Sequence, residues 1–326
     1  MGQSVDVSGS IGIALCPQHG ADRQTLMRLA DVALYMAKDS RRGFALYAPS
    51  RDTGSRARLA LMSELRQGIE KGELRLHYQP KVEAATGRVA SAEALLRWSH
   101  PRLGLLAPEH FVPAAGRVGL IQPLSEWVLR EALRECRQWR LEGLELDVSV
   151  NLAARNLQEP SFPETLAALL EETRASPSWL WLEAAERDVM GDPAQNLAML
   201  ASLRSSGVRV ALDNFGAGIS SLACLDRVPA DAIEMDRSLV QRMDGDEDAA
   251  KIVRSLAGLA HALGRKAVAE GVETERAWEM LVAAGCDTVQ GNYFSPPLPS
   301  EDFLRWLRIS RGRISGEIPH RSEKSA

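Results

Sequence analysis

The sequence predicts an α/β chain, a modified TIM-type (β/α) barrel with an antiparallel first strand pair, preceded by a small N-terminal α/β fragment. Three observations carry this prediction. From residue 74 onward, short apolar runs alternate with longer helical stretches, the pattern of βα units. A turn at Thr86-Gly87 separates the first two runs, which makes them an antiparallel pair. The alternating span, 74–310, matches the roughly 250 residues that such a barrel uses as one domain.

The elements follow in order. Residues 1–48 read strand, helix, strand. Ser8 to Leu15 alternates small and apolar residues, and Leu26, Leu29, Ala30, Val32, Ala33 and Met36 recur at helical spacing over 24–38. Arg41-Arg42-Gly43 ends that helix, and Phe44 to Tyr47 returns as a strand. So small a segment buries little apolar surface and is marginal alone. Residues 49–73 link it to the barrel, with Leu59, Leu61, Met62, Leu65 and Ile69 forming one face of a helix over 55–71.

Barrel strands are expected at Leu74–Tyr78, Ala90–Leu95, Leu146–Val150, Leu180–Glu183, Val208–Leu212, Ala232–Met235, Lys266–Ala269 and Thr288–Gln290. Helices are expected over 124–140, 162–174, 193–206, 248–263, 274–284 and 301–308. The polar, non-periodic residues 311–326 read as a disordered tail.

Composition narrows the function. The formal charge of −4 gives no basic footprint for polymeric nucleic acid. No apolar run approaches the ~20 residues needed to span a bilayer, and the start lacks a basic n-region and apolar core. Cys16, Cys136, Cys224 and Cys286 are scattered without zinc-site spacing, as expected of reduced thiols in a cytoplasmic protein.

Chemistry gathers at the strand ends. Glu93, Asn151, Glu183, Asp213, Glu270 and Gln290 follow successive strands, and barrel active sites are built at that face. Scattered rim hydrogen bonding is the plain alternative. Carboxylate and amide oxygens without histidine or thiolate select hard cations, here Mg²⁺ or Mn²⁺.

The flanking residues add a family likeness. Tyr78-Gln79-Pro80, Glu93-Ala94-Leu95-Leu96-Arg97-Trp98, His100-Pro101 and Phe111-Val112-Pro113 resemble the opening motifs of EAL-type cyclic-di-GMP phosphodiesterases. Asn151, Glu183-Ala-Ala-Glu186, Asp213-Asn214-Phe215-Gly216, Met235-Asp236-Arg237-Ser238, Glu270-Gly-Val-Glu273 and Gln290-Gly291 follow in that family's order. The resemblance implies a ligand, cyclic-di-GMP, opened to the linear dinucleotide pGpG. It implies metal ligands at Glu93, Asn151, Glu183, Asp213 and Glu270. It places the nucleotide against Gln79, Leu95, Arg97, Pro113, Asn151, Asp213, Glu273, Gln290 and Phe294, with Arg97 forking onto a phosphate. Glu186 would steady the loop over 213–222, through which relatives form a homodimer. The first 48 residues resemble the end of a GGDEF domain without its signature, which implies a chain that begins inside a larger multidomain protein.

Two departures strike the catalytic positions, which the resemblance sets at Glu93, Asn214 and Glu234. Asn214 stands where the family has a second aspartate, weakening a second cation's site. Glu234 stands where the family has a lysine thought to position the attacking water. Gly116, Ala153, Ala185, Ile219 and Asn292 are lesser changes. The expectation is a degenerate domain that binds cyclic-di-GMP with weak or no hydrolysis. An active phosphodiesterase and a non-binding interaction module are the alternatives. Glu234 could also compensate for Asn214 by reaching the metal.

Overall fold

The computed structural model describes residues 11–20, 22, 23, 25–27, 29, 30, 33, 44–47, 61–216, 225–310 and 312. The chain divides into two compact units, Met1–Lys71 with Glu109–Val118, and Gly72–Pro108 with Gly119–Ala326. In the first, β1 (Ile11–Ile13) pairs in parallel with β2 (Phe44–Leu46). Leu29, Ala33 and Tyr47 bury together. Residues 61–70 are helical, and Val112–Arg117 forms a short helix with Pro113 in its first turn.

The second unit is the barrel. Its sheet runs β12-β3-β11-β10-β9-β8-β7-β6-β4-β5, and an additional β3–β4 pairing closes it. The eight closing strands are β3 (Leu74–Glu83), β4 (Val89–His100), β6 (Asp147–Leu152), β7 (Leu180–Ala185), β8 (Arg209–Phe215), β9 (Ala232–Met235), β10 (Lys266–Ala269) and β11 (Thr288–Gln290). Short strands β5 (Gly104–Leu106) and β12 (Leu298–Pro299) flank them. Strand β3 is antiparallel to both β4 and β11, and the remaining barrel pairings are parallel. The predicted antiparallel opening is therefore present, turning at Gly87 with φ 69°, where the absence of a Cβ removes the steric cost of a positive φ.

Period-2 alternation sorts the side chains into two cores. Val148, Val150, Leu180, Leu182, Val210, Leu212, Ile233 and Met235 join the large apolar cluster that also holds Leu129, Leu166 and Leu200 of the surrounding helices. Residues of the opposite parity, Ala211, Ala232 and Val268, form a separate inner cluster against Trp181. Glu183, Asp213, Glu234 and Glu270 lie two residues beyond Trp181, Ala211, Ala232 and Val268 in the sequence.

The helices begin and end where local chemistry directs. Thr274 caps Glu275–Ala284 through the Ala277 N–H, and Gly285 closes it at φ 86°. Asp246 accepts from two N–H groups at the start of Glu247–Ala262. Strands β3 and β4 extend beyond their predicted ends because polar side chains interrupt their apolar runs, and β5 and β12 carry no run long enough to announce them. Residues 311 and 313–326, the predicted tail, lie outside the described residues, apart from Gly312. Among the described residues no helix is long and apolar enough to cross a membrane. Cys16, Cys136 and Cys286 are free thiols, and Cys224 lies outside the described residues.

Candidate functional site

Strand register gathers the acids. Gln79 of β3 pairs with Glu93 of β4, and Lys81 pairs with Gln290 of β11. Asn151 of β6 lies beside Glu183 of β7, Asp213 of β8 beside Ala185, and Glu234 of β9 beside Val268. Glu270 follows β10 directly. Glu93 lies in mid-strand rather than at a strand end, because β4 continues to His100. It reaches the same layer because β3 and β4 run on past it as a long ribbon.

One half of the site is a hydrogen-bonded amide network. The Asn151 Nδ2 donates to Glu93 Oε1 at 2.6 Å, and Gln290 Nε2 donates to Glu93 Oε2 at 2.7 Å. Gln290 Nε2 also donates to Gln79 Oε1 at 3.0 Å, and Gln79 Nε2 to the Ser295 carbonyl at 3.0 Å and to Asn292 Oδ1 at 3.2 Å. Every donor in this half is spent on holding a neighbour. The Gln290 Oε1 is buried with no hydrogen-bond partner, an atom that calls for a cation, a water or a ligand donor.

The other half is acidic. One carboxylate oxygen from each of Asp213, Glu234 and Glu270 lies within 4.8 Å of the others. Burial, then the charge of Glu234, pushes Asp213 up to about 7. The same two causes hold Glu183 and Glu270 well above the carboxylate range. All-oxygen donors converging in a buried pocket fit a hard divalent cation, and the unpartnered Gln290 Oε1 beside Glu93 agrees with that donor set.

Lys81 is the residue that sequence reasoning missed. Its Nζ lies 2.7 Å from each Glu234 carboxylate oxygen, contacts Glu183 and approaches Glu270 at 4.0 Å. Burial alone would lower its pKa, but Glu183, Glu234, Glu270 and Glu93 together raise it well above the ordinary lysine value. Strand alternation could have found it, since Lys81 lies two residues from Gln79 on the same face of β3.

Asn214 occupies a left-handed conformation, φ 56°, within a bulge where the β8–β9 register shifts between Leu212 and Phe215. Bulges of this kind re-aim side chains beside functional sites, and asparagine tolerates that φ better than most residues. Its backbone N–H and its side-chain Nδ2 both donate to Asp213, each at 2.5 Å. The amide therefore presents nitrogen, not oxygen, to the neighbouring carboxylate.

The other predicted positions are less gathered. Arg97 donates to the Leu96 carbonyl, and Leu95 is half-buried opposite His77. Phe294 is buried, edge-on to Trp278 and Tyr293. Glu273 is exposed and accepts from Gln241 Nε2 at 2.8 Å, outside the acidic group. Pro113 belongs to the first unit. Glu186 is buried at the start of the helix Glu186–Val189, while residues 217–224 of the loop it was expected to steady lie outside the described residues.

Two glycines set the closing turn. A Cβ on Gly291 would meet the Val272 carbonyl oxygen at 2.0 Å, and one on Gly271 would meet the Arg237 Cβ at 2.6 Å. Their absence lets residues 270–273 lie against β11, where the Val272 N–H donates to the Gln290 carbonyl at 2.9 Å.

The chain is similar to several known proteins. The family described as the EAL domain matches residues 62–297. The chain is 41% identical over 303 residues to a Pseudomonas aeruginosa protein named bifunctional diguanylate cyclase/cyclic di-GMP phosphodiesterase MucR, across 92% of this chain and 44% of that protein. It is 36% identical over 305 residues to the Escherichia coli cyclic di-GMP phosphodiesterase PdeR, across 93% of this chain and 46% of that protein. A solved structure of the PaMucR phosphodiesterase in complex with c-di-GMP superposes with a TM-score of 0.72 at 40% identity, covering 75% of this chain and 99% of that one. The chain thus spans less than half the length of these two curated relatives.

Proposed function

Since the chain belongs to the EAL-domain family, we propose that it is a bacterial cyclic-di-GMP signalling protein that hydrolyses this dinucleotide to pGpG with the help of Mg²⁺ or Mn²⁺. The observation that carries the reading is the convergence of Asp213, Glu234 and Glu270 beside an intact Gln79–Gln290–Glu93–Asn151 network. The sequence alone favoured a degenerate receptor because Glu234 had displaced a lysine. Glu234 instead joins the carboxylate cluster, and an ammonium is still present, supplied by Lys81. The names of the relatives, both phosphodiesterases, point the same way.

On this reading Asp213, Glu234 and Glu270 would hold the divalent ion, with Glu93 and Asn151 as further oxygen donors. A bound ion would supply polarisation of a phosphoryl oxygen and a more acidic water. The chain's own residues do the rest. Arg97 takes a phosphate oxygen through its guanidinium fork, while Asn151 and Gln290 fix the Glu93 carboxylate so that it does not swing when the ligand arrives. Water adds across one phosphodiester bond: its oxygen stays on phosphorus, and the departing ribose oxygen leaves as a hydroxyl. Residues 1–48 are read as a GGDEF remnant on their sequence likeness alone.

A second reading, retention of the nucleotide without turnover, is favoured by the Asn214 amide, which turns its nitrogen to Asp213 and offers no charge of its own. The two are separated by incubating the protein with cyclic-di-GMP and Mn²⁺ and measuring bound nucleotide and pGpG together. Steady pGpG formation that Glu93→Ala abolishes supports the enzyme. Nucleotide retained without pGpG overturns it in favour of the receptor.

A further inference from the structure

The charges inside the barrel do not need a metal ion at every carboxylate. Glu183 and Glu234 are each about 2% exposed and lie on adjacent sides of one ammonium, Lys81, itself about 3% exposed. Buried carboxylates persist only when paired, and Lys81 provides that pairing from within the fold. Both oxygens of Glu234 are 2.7 Å from its Nζ, whereas Glu270 stands off at 4.0 Å. The ammonium thus divides the acids into two sets. Glu183 and Glu234 share the one ammonium, while Asp213 and Glu270 have no contact this close with it.

We propose that Lys81 is a resident cation that takes the place of a metal ion on the Glu183–Glu234 side, so that the chain recruits a single divalent ion, on the Asp213–Glu270 side, with Glu234 shared between ammonium and ion. This rests on the metal-dependent reading above and adds to it a stoichiometry and a positioning role for a residue outside the predicted site. A cavity of about 60 Å³ borders Lys81, Glu183, Glu234 and Ser149, with Arg209 and Lys266 also in its lining, and the Ser149 Oγ is buried there without a partner. That is room for waters around a second cation once the ammonium is gone.

The test is equilibrium dialysis of the full chain against Mn²⁺, with bound metal counted per chain, on wild type and Lys81→Met, together with thermal unfolding with and without Mn²⁺. The expected result is one Mn²⁺ on wild type and two on Lys81→Met, and a melting temperature that depends on Mn²⁺ far more strongly in the variant. One ion on both proteins, or two on both, overturns the role of Lys81 while leaving metal dependence standing. No ion on wild type overturns the metal-dependent reading and this inference with it. Where Lys81→Met fails to fold, crystals of wild type soaked in Mn²⁺ decide the matter by anomalous scattering. A single peak with Lys81 still seated on Glu183 supports the proposal, and two peaks overturn it.

Discussion

Returning lysine to position 234 tests the internal salt bridge most severely. Judged by family likeness, Glu234→Lys looks like a repair. The structure predicts damage, because the carboxylate it removes holds Lys81 through two contacts of 2.7 Å in a fully buried setting. Breaking a buried ion pair from one side commonly costs about 3–5 kcal/mol. A second ammonium about 4 Å from the first adds repulsion of roughly 4 kcal/mol at an effective dielectric near 20, which the lost repulsion between Glu234 and Glu183, Asp213 and Glu270 offsets. Taking only the smaller figure, a barrel of this size should melt on the order of 10 °C lower. The reciprocal pair Lys81→Glu/Glu234→Lys restores one ammonium among the acids, so its loss should be smaller than the sum of the single losses by about 1 kcal/mol or more. Thermal and urea unfolding of the four proteins in chelator gives the cycle. A Glu234→Lys variant melting within about 2 °C of wild type, or single effects that simply add, would refute the argument.

Other outcomes follow from the same geometry. In chelator, the folded chain keeps a proton on Asp213 to about pH 7, whereas the unfolded chain releases it near its ordinary 3.8. The folded state binds more protons between these values, so stability should fall as pH rises from about 4 to about 7, and Mn²⁺ affinity should rise across the same range; calorimetry and metal titration check both. Asn214→Asp replaces two 2.5 Å donors to Asp213 by one donor and a like charge. It should cost about 1–2 kcal/mol without metal and increase the stabilisation that Mn²⁺ brings. A Gly291→Ala methyl meets the Val272 carbonyl at 2.0 Å, so residues 270–273 must move away from β11. Destabilisation of about 2 kcal/mol or more, with weakened Mn²⁺ binding through displaced Glu270, is the expected result.

How much of this was legible beforehand depended on how far each feature is local. Strands β9, β10 and β11 were bounded to the residue, since a short apolar run closed by a polar side chain marks a buried parallel strand. The ends of β3 and β4 were not, because Gln79, Lys81, Arg97 and Ser99 break the apolar run although the backbone continues to pair. The acids could be listed from the sequence, but their grouping could not. Glu93 proved to be tied to Asn151 and Gln290, and Asp213 to Glu234 and Glu270, distinctions that depend on strand stagger around a closed barrel. Lys81 was hidden for another reason. A lysine in a strand is ordinarily solvent-facing, and its alternation with Gln79 was the one local sign of an inward face, which the register with Gln290 bears out. The bulge that turns Asn214 toward Asp213 depends on a register shift that no local pattern announces.

The most direct test of the account is hydrolysis of cyclic-di-GMP by protein stripped with chelator and then titrated with Mn²⁺, followed as pGpG released per chain. Stripped protein should show no turnover, and turnover should return with bound Mn²⁺. Nucleotide binding that survives stripping while turnover stays absent at saturating Mn²⁺ would contradict it, leaving the acidic cluster without the role assigned to it.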